Sequence, residues 1–304
     1  MLSRASKTCG RFAHALYRVA KSESAFPWSR RLLTTMSSET RKVEERKIKV
    51  DDKEINYVRV GKGDHPVLLL PGALGTIWTD WKPQIETMDA DKLTIVAWDP
   101  PGYGKSRPPD RTFPDDFFYR DAVYAHNLMK TLGYSIFSLV GWSDGGITSL
   151  ILAAKYPDSI RKTVVLGANA YIHPDETKIY DDIRNIETWS PKMRDPMIEA
   201  YGKEYFQKTW SDWVDAMIGL YKKKDGDLCK EELPKIKCPT LIIHGEKDSL
   251  VLPEHPIYLK EKIPNSRLVI PKGSHNLHLR YPEETNKLIT EFLTESDKLE
   301  QSKM

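Results

Sequence analysis

Length and composition already exclude several classes of protein. The chain has 304 residues, of which 40% are hydrophobic and 29% are charged. A chain of this length and apolarity buries a sizeable core, which excludes collagen and disorder throughout. No apolar run approaches the roughly 18 residues that a membrane-spanning helix needs. Three cysteines are too few for a disulfide framework, and Cys229 and Cys238 lack the Cys-x-x-Cys spacing of zinc sites. We therefore expect ordinary thiols in a reducing compartment.

The formal net charge of +3 is concentrated at the amino terminus. Residues 1–36 hold seven lysines and arginines against one acidic residue, which leaves 39 basic and 42 acidic side chains in residues 37–304. This body of the chain is slightly acidic and has no basic stripe that would neutralise phosphates. We therefore expect no nucleic-acid partner, and the lack of an apolar span predicts no membrane partner.

The first residues form a cationic amphipathic pattern. At about 100° per residue, basic residues from Arg4 to Lys21 fall on one stripe of a helix, and apolar residues from Leu2 to Val19 fall on the opposite stripe. A helix rich in Arg and Ser and nearly free of acid is typical of a mitochondrial presequence, whereas a secretory signal needs a run of about 7–15 apolar residues. We predict that residues 1–36 are a presequence, removed near 30–38, and that the protein resides in the mitochondrial matrix.

Short apolar strands alternate with helical patterns from about Lys47 onward. The predicted strands, of which the first two form a hairpin, are Ile48–Val50, Glu54–Val60, Val67–Leu70, Leu93–Trp98, Phe137–Gly141, Thr163–Gly167, Thr240–His244 and Arg267–Ile270. The predicted helices are Trp81–Met88, Phe117–Leu132, Gly146–Lys155 and Pro282–Leu293. Strands that are apolar on both faces and alternate with helices predict an α/β fold with a mostly parallel central sheet flanked by helices. Such a sheet binds ligands at the carboxyl ends of its strands.

One stretch interrupts this alternation. Residues 171–235 contain no convincing strand but carry Trp189, Trp210, Trp213 and several helical segments. Because the stretch lies between two predicted strands, we interpret it as a helical cap over the ligand-binding edge of the sheet. The predicted domains are the presequence 1–36, a core of 37–170 and 236–304, and the cap 171–235.

A candidate nucleophile follows the strand Phe137–Gly141. The chain reads Gly141-Trp142-Ser143-Asp144-Gly145, the Gly-x-Ser-x-Gly pattern, and a helix follows it. Glycines on both sides of Ser143 permit a sharp turn that lifts the hydroxyl above the sheet. The first N–H groups of the next helix would lie near a developing oxyanion. This context predicts that Ser143 is a nucleophile rather than part of an ordinary tight turn.

A serine nucleophile needs a base, and His275 is the strongest candidate among the eight histidines. It follows the last strand, so its loop can return the imidazole to Ser143. His278, near the start of the final helix, and His244, at the end of a strand, are expected to be structural. His65 precedes a strand at the opposite edge of the sheet.

The orienting acid is expected between the nucleophile and the histidine in chain order. Asp248 fits this place, in a loop directly after the strand Thr240–His244. Glu246 is its rival in the same loop, but we expect its side chain to point outward. The order of the predicted triad is therefore Ser143, Asp248, His275.

Two backbone donors are expected to bind the oxyanion. One is the N–H of Asp144. The other comes from the loop Pro71–Gly75, where either Ala73 or Leu74 is the donor. The Gly-rich turn at 99–106 has too few features of a phosphate loop to bind a nucleotide, and we interpret it as a structural loop of the pocket.

These motifs identify residues 47–293 as resembling the α/β-hydrolase superfamily. Segments 140–147, 168–171, 244–248 and 275–280 resemble the biphenyl hydrolase-like family in particular, which is mitochondrial and hydrolyses esters of α-amino acids. The resemblance implies an α/β-hydrolase fold and a cofactor-free serine esterase with the triad named above. It also implies that Asp144 recognises the α-ammonium group of the substrate.

One position departs from the pattern of the superfamily. Pro101 stands where an arginine is common, which puts a salt bridge of that loop in doubt. The expected partners are an aminoacyl ester and water, with amino-acid thiolactones as further candidates, and we expect a monomer without a metal.

Two other functions remain open at this stage. A carbon–carbon bond hydrolase of aromatic diketones is disfavoured, because such substrates bring no cation to offset Asp144. A dehalogenase or an epoxide hydrolase is also disfavoured, because such an enzyme would have Asp in place of Ser143. The alternative outside enzymes is a small-molecule-binding protein without turnover.

Overall fold

An eight-stranded sheet forms the centre of residues 41–296, the part of the chain that this computed structural model describes. The strands are β1 (Glu45–Val50), β2 (Lys53–Val60), β3 (His65–Leu70), β4 (Leu93–Trp98), β5 (Phe137–Trp142), β6 (Ile160–Leu166), β7 (Thr240–Ile243) and β8 (Ser266–Val269). Their order is β1-β2-β4-β3-β5-β6-β7-β8, in which β1 pairs with β2 and β2 with β4 antiparallel, and all other pairs are parallel. The predicted presequence lies outside the described residues.

Helices cover both faces of the sheet. They are α1 (Ile77–Thr87), α2 (Phe117–Thr131), α3 (Asp144–Lys155), α4 (Pro174–Asp182), α5 (Pro191–Tyr201), α6 (Lys203–Lys224), α7 (Glu254–Lys262), α8 (Leu277–Arg280) and α9 (Pro282–Thr294). Short 3-10 helices lie at Ile186–Thr188 and Lys230–Lys235. The predicted fold class, a mostly parallel sheet flanked by helices, is confirmed. No helix within residues 41–296 is both long enough and apolar enough to span a bilayer.

The central strands are buried on both faces. Along β3, Val67 and Leu69 pack into one apolar cluster with helices α1 and α9, whereas Leu68 and Leu70 pack into the other with α2 and α3. Successive side chains of a strand point to opposite faces, so a strand between two helical layers has to be apolar at every position. This is why the continuous apolar runs predict parallel strands correctly.

Three helices, α4 to α6, lie between β6 and β7, where the cap was predicted. Polar and stacking contacts fix the tryptophans of this segment: the indole N–H groups of Trp189 and Trp210 both donate to the carbonyl oxygen of Ile183, each at 2.9 Å. Trp210 stacks on Trp213 with ring centroids 4.7 Å apart. The domain limits at 171 and 235 stay a prediction.

Some predicted element limits are wrong. Helix α1 begins at Ile77, four residues before Trp81, because the Thr76 hydroxyl caps it by accepting from the N–H of Thr79 at 3.1 Å. Strand β6 begins at Ile160 rather than at Thr163. Helix α7 was not predicted, since the proline and histidine in its first turn conceal its short apolar face.

Candidate active site

Ser143 lies at a sharp turn between β5 and α3. Its φ of 53° and ψ of −121° are strained for a residue with a side chain. Hydrogen bonds hold the turn: the N–H of Ser143 donates to the carbonyl of Leu166 at 2.9 Å, and its own carbonyl accepts from the N–H of Gly146 at 2.8 Å. A side chain at Gly145 would place its Cβ 2.1 Å from the Leu70 carbonyl oxygen. The second glycine of the motif is therefore required for the turn to pack on β3.

The turn presents Ser143 at the amino terminus of a helix. Ser143 is half-buried, and Asp144 is the first residue of α3, a helix of 12 residues. The first N–H groups of a helix lack partners within it, and the helix dipole places positive charge at this end. This arrangement favours negative charge beside Ser143, as expected for an oxyanion.

The structure brings Asp248 and His275 into direct contact. The His275 Nδ1 lies 2.8 Å from Asp248 Oδ2, and the Asp248 side chain is fully buried. Asp248 Oδ1 accepts from the N–H groups of Leu250 and Val251, each at 3.0 Å. Burial by itself would raise the pKa of Asp248, but the charge of His275 and these hydrogen bonds hold that pKa below its ordinary value. Asp248 is therefore ionised and fixes the orientation of the imidazole.

Gly167, directly after β6, leaves room for the side chains of Asp248 and His275. Its φ is +54°, and a Cβ there would lie 2.9 Å from His275 Nδ1 and 3.2 Å from Asp248 Oδ2. Both the backbone conformation and the close approach favour glycine. The sequence predicts this residue only as the end of a strand, because nothing in its neighbours indicates what lies above it.

Contacts of Trp142 bring the histidine loop to the Ser143 turn. The indole N–H of Trp142 donates to the carbonyl oxygen of His275 at 2.9 Å, and the two rings lie 5.2 Å apart. On the other side, a Cβ on Gly72 would lie 3.0 Å from the indole and 3.3 Å from the Cβ of Ser143. The loops after β3, β5 and β8 therefore meet around the Ser143 side chain.

The loop that carries the second predicted oxyanion donor is held by a buried acid. The N–H of Gly72 donates to Asp80 Oδ2 at 2.8 Å, and the N–H of Gly75 donates to the Gly72 carbonyl at 3.0 Å. Between them lie Ala73, which is half-buried, and Leu74, which is buried with a φ of +55°. Burial raises the pKa of Asp80 to about 7. The sequence did not reveal Asp80, because this residue lies just before the predicted helix Trp81–Met88 and belongs to no motif.

Asp144 is buried next to Ser143 and contacts helix α6. Its Oδ2 accepts from the indole N–H of Trp213, on α6, at 2.8 Å. Burial raises the pKa of Asp144 to about 7, although this hydrogen bond and the charge of Arg111 act in the opposite direction. The carboxyl group also lines a small cavity, together with Gly72 and Thr148. Arg111 and Asp121 also line this cavity, whereas Ser143 and His275 do not.

Arg111 also lines that cavity, and it forms a salt bridge beside the loop in which Pro101 replaces the common arginine. Its guanidinium is buried, donates to Asp121 Oδ1 at 2.9 Å, and donates to the Pro101 carbonyl at 3.0 Å. It also lies 4.4 Å from the centroid of the Tyr103 ring. The loop after β4 therefore contacts a buried arginine, supplied from ten positions further along the chain.

His244, His278 and His65, which the sequence did not assign to the triad, are buried. Burial lowers the pKa of His244 to about 4 and that of His278 to about 3, so both are neutral. His278 lies in the short helix α8, not in the final helix, and its ring is 4.7 Å from that of Trp142. His65 is hydrogen-bonded to Ser138 at 2.7 Å.

A buried hydrogen bond that the sequence did not reveal fixes the segment after Asp248. Glu176 Oε1, on cap helix α4, lies 2.9 Å from His255 Nε2, and both side chains are fully buried. The same oxygen accepts from the N–H of Leu252 at 3.1 Å. Helix α4 thus holds Leu252, the residue after Leu250 and Val251, whose N–H groups donate to Asp248. Glu176 and His255 lie 79 positions apart in the chain, and no sequence pattern pairs them.

Metal ligands and thiols are placed as follows. Within residues 41–296, no group of three or more His, Cys, Asp or Glu side chains is arranged to hold a metal ion. Cys229 and Cys238 are buried free thiols, and burial raises the pKa of both. Between the two acids of the loop after β7, Asp248 rather than Glu246 contacts His275.

Comparison with known proteins places this chain in a family. A family model described as the alpha/beta hydrolase fold matches residues 65–200 and 179–280, and the chain belongs to this superfamily. The serine hydrolase BPHL of Mus musculus is 50% identical over 248 residues, which cover 81% of this chain and 85% of the mouse protein. The BPHL protein of Homo sapiens is 49% identical with the same two coverages.

A solved structure shows the same fold. The enol-lactonase from Burkholderia xenovorans superimposes with a TM-score of 0.67 at 21% identity, covering 82% of this chain and 100% of that chain. Together with the two BPHL proteins, the family match confirms the resemblance predicted from the motifs. The chain is a serine hydrolase.

Proposed function

We propose that this serine hydrolase cleaves esters of small α-amino acids, with Ser143, His275 and Asp248 as its catalytic triad. The observation that carries the choice of substrate is the buried Asp144 carboxyl, which directly follows the nucleophile in the chain. The triad itself is supported by the contact of Asp248 with His275 and by the strained turn at Ser143. The same site would accept amino-acid thiolactones, which carry the same α-ammonium group.

The geometry supports a two-step reaction. Asp248 holds Nδ1 of His275, which leaves Nε2 to take the proton of Ser143 Oγ as the oxygen attacks the ester carbonyl. The N–H of Asp144 and a donor at Ala73 or Leu74 stabilise the oxyanion. His275 then protonates the leaving alcohol, and an acyl-enzyme ester remains on Ser143. Water, deprotonated by His275, then attacks the ester carbonyl; the bond to Ser143 Oγ breaks, His275 returns the proton to that oxygen, and the amino acid is released.

Asp144 would recognise the α-ammonium group of the acyl part. A buried carboxylate without a cation opposes negative charge that develops on the neighbouring carbonyl oxygen. An ammonium group on the adjacent carbon offsets that repulsion and forms a charge-assisted hydrogen bond. Trp213 donates to one carboxyl oxygen, Oδ2, and so fixes the orientation of the carboxyl group.

A hydrolysis panel tests this proposal. The rates kcat/KM are compared for aminoacyl benzyl esters, their N-acetylated counterparts and their desamino counterparts. We expect the free α-amino esters to be preferred by roughly 10- to 150-fold, the value of a charge-assisted hydrogen bond of about 1.5–3 kcal/mol. Equal rates on all three series would contradict the role of Asp144. Exclusive cleavage of aromatic diketones would support the carbon–carbon hydrolase, and no labelling by a fluorophosphonate would support a binding protein.

The preference for charged esters is expected to depend on pH. Because burial raises the pKa of Asp144 to about 7, its carboxyl becomes neutral as the pH falls below 7 and no longer pairs with an ammonium. The ratio of kcat/KM for α-amino over desamino esters should therefore fall below pH 7, by at most about tenfold per pH unit, until the preference is lost. Any pH effect that is common to both substrate classes cancels in this ratio. A ratio constant between pH 5 and 7 would contradict the prediction.

A further inference from the structure

A tyrosine of the cap is hydrogen-bonded to the loop that carries the second oxyanion donor. Tyr201, the last residue of α5, is buried, and its hydroxyl donates to the carbonyl oxygen of Leu74 at 2.7 Å. The same hydroxyl accepts from the N–H of Gly104, in the loop after β4, at 3.0 Å. One phenol group therefore connects the cap to two loops at the carboxyl edge of the sheet.

This contact completes the support of the 71–75 loop. Asp80 holds the beginning of the loop through the N–H of Gly72, and Tyr201 holds its far side through the Leu74 carbonyl. Leu74 has a φ of +55°, a conformation that a residue with a side chain adopts only when its surroundings enforce it. The direction of the Leu74 carbonyl determines the plane of the peptide group that follows it. The same anchor restricts the φ and ψ angles of Leu74, and φ sets where the N–H of Leu74 points relative to its Cα.

We infer that Tyr201 is a positioning residue for the oxyanion hole, through which the cap takes part in the chemical step. This inference rests on the proposed serine-esterase function, since it concerns the donor that stabilises the oxyanion of that reaction. Tyr201 acts on the donor and not on the substrate. Its effect therefore belongs to the transition state, where the carbonyl oxygen becomes negative, and is the same for every ester.

The experiment compares Tyr201→Phe with Tyr205→Phe. The two tyrosines stack with ring centroids 6.0 Å apart, but the Tyr205 hydroxyl accepts from the N–H of Arg111 at 3.2 Å and does not contact the 71–75 loop. Both variants lose one phenol oxygen and keep the ring, so they are matched in chemistry. Turnover is expressed per active site titrated with a fluorophosphonate, so that unfolded molecules are not counted.

For Tyr201→Phe we expect kcat to fall by about 10- to 100-fold, part of the loss that follows removal of one oxyanion donor. KM should change by less than about twofold, and the loss should be equal for α-amino and desamino esters. Binding of a boronic acid, which forms a negatively charged tetrahedral adduct on the serine, should weaken by a similar factor. Tyr205→Phe should keep its kcat within about twofold.

The outcomes separate this inference from the proposed function. Unchanged kcat and unchanged boronic acid binding in Tyr201→Phe would overturn the positioning role, while the triad and the substrate class would still stand. A loss seen only in KM, or an equal loss in Tyr205→Phe, would also overturn it, because a general loosening of the cap explains both. Full activity of Ser143→Ala would instead contradict the proposed function.

Discussion

Ser143→Ala is expected to lower kcat on every ester by about 10⁴- to 10⁶-fold, because it removes the attacking oxygen. The His275–Asp248 pair is hydrogen-bonded independently of Ser143, at 2.8 Å, so the rest of the site should keep its geometry. His275→Ala should lower kcat by a similar factor, since it removes the base. Asp248→Asn should also lower kcat severely. An amide carries no charge, and when it donates its N–H to Nδ1 of His275 it favours the wrong tautomer of the imidazole.

These rates are best measured in single turnover, beside a serine variant that keeps the active site intact. Ser159→Ala serves as this control, because Ser159 precedes β6 at the opposite edge of the sheet and its hydroxyl contacts His126 at 3.2 Å. It should keep full activity. More than a tenth of the original activity in Ser143→Ala or His275→Ala would show that the triad is assigned to the wrong residues. Loss of fluorophosphonate labelling in Ser143→Ala would identify the nucleophile directly.

The sequence predicts the centre of the fold well, because burial on both faces of the sheet requires continuous runs of apolar residues there. Every position of Val67–Leu70 packs into one of two apolar clusters, so the continuous apolar run indicates a strand covered on both faces. The Gly-x-Ser-x-Gly pattern is equally informative, since each glycine relieves a particular clash at the turn. Helix α7 has no such trace, and its buried His255 and Pro256 resemble loop residues.

The candidate site is predictable only where function and local conformation share a motif. Ser143, Asp248 and His275 each follow a predicted strand, and that placement alone indicates that they lie at one edge of the sheet. Tyr201 acts through a contact with Leu74, 127 positions away in the chain, and Asp80 acts through a contact with the N–H of Gly72. Their positions in the chain show neither periodicity nor spacing that distinguishes them from ordinary surface or core residues, so only the folded arrangement reveals them.

Asp144→Asn should be the most informative change for substrate choice. The substitution keeps the N–H that serves the oxyanion and keeps an oxygen that can accept from Trp213, now at 2.8 Å from Oδ2. It should also fold at least as well near neutral pH. Burial raises the pKa of Asp144 to about 7 in the folded chain. Ionisation of this carboxyl therefore lowers the stability of the fold as the pH rises from the ordinary pKa of an aspartate to about 7, and the loss stays constant above pH 7. An amide removes this cost, and lost activity would then not reflect lost structure.

The expected result is a change of specificity rather than a general loss. On α-amino esters kcat/KM should fall by about 10- to 150-fold, as calculated from a charge-assisted hydrogen bond of about 1.5–3 kcal/mol. On desamino esters the rate should change little or rise, because a carboxylate that opposes the oxyanion has been removed. The measurement is kcat/KM for both ester classes on the original protein and the variant at pH 7.5, together with thermal unfolding of each. An equal loss on both classes would show that Asp144 supports the Ser143 turn and does not recognise the ammonium group.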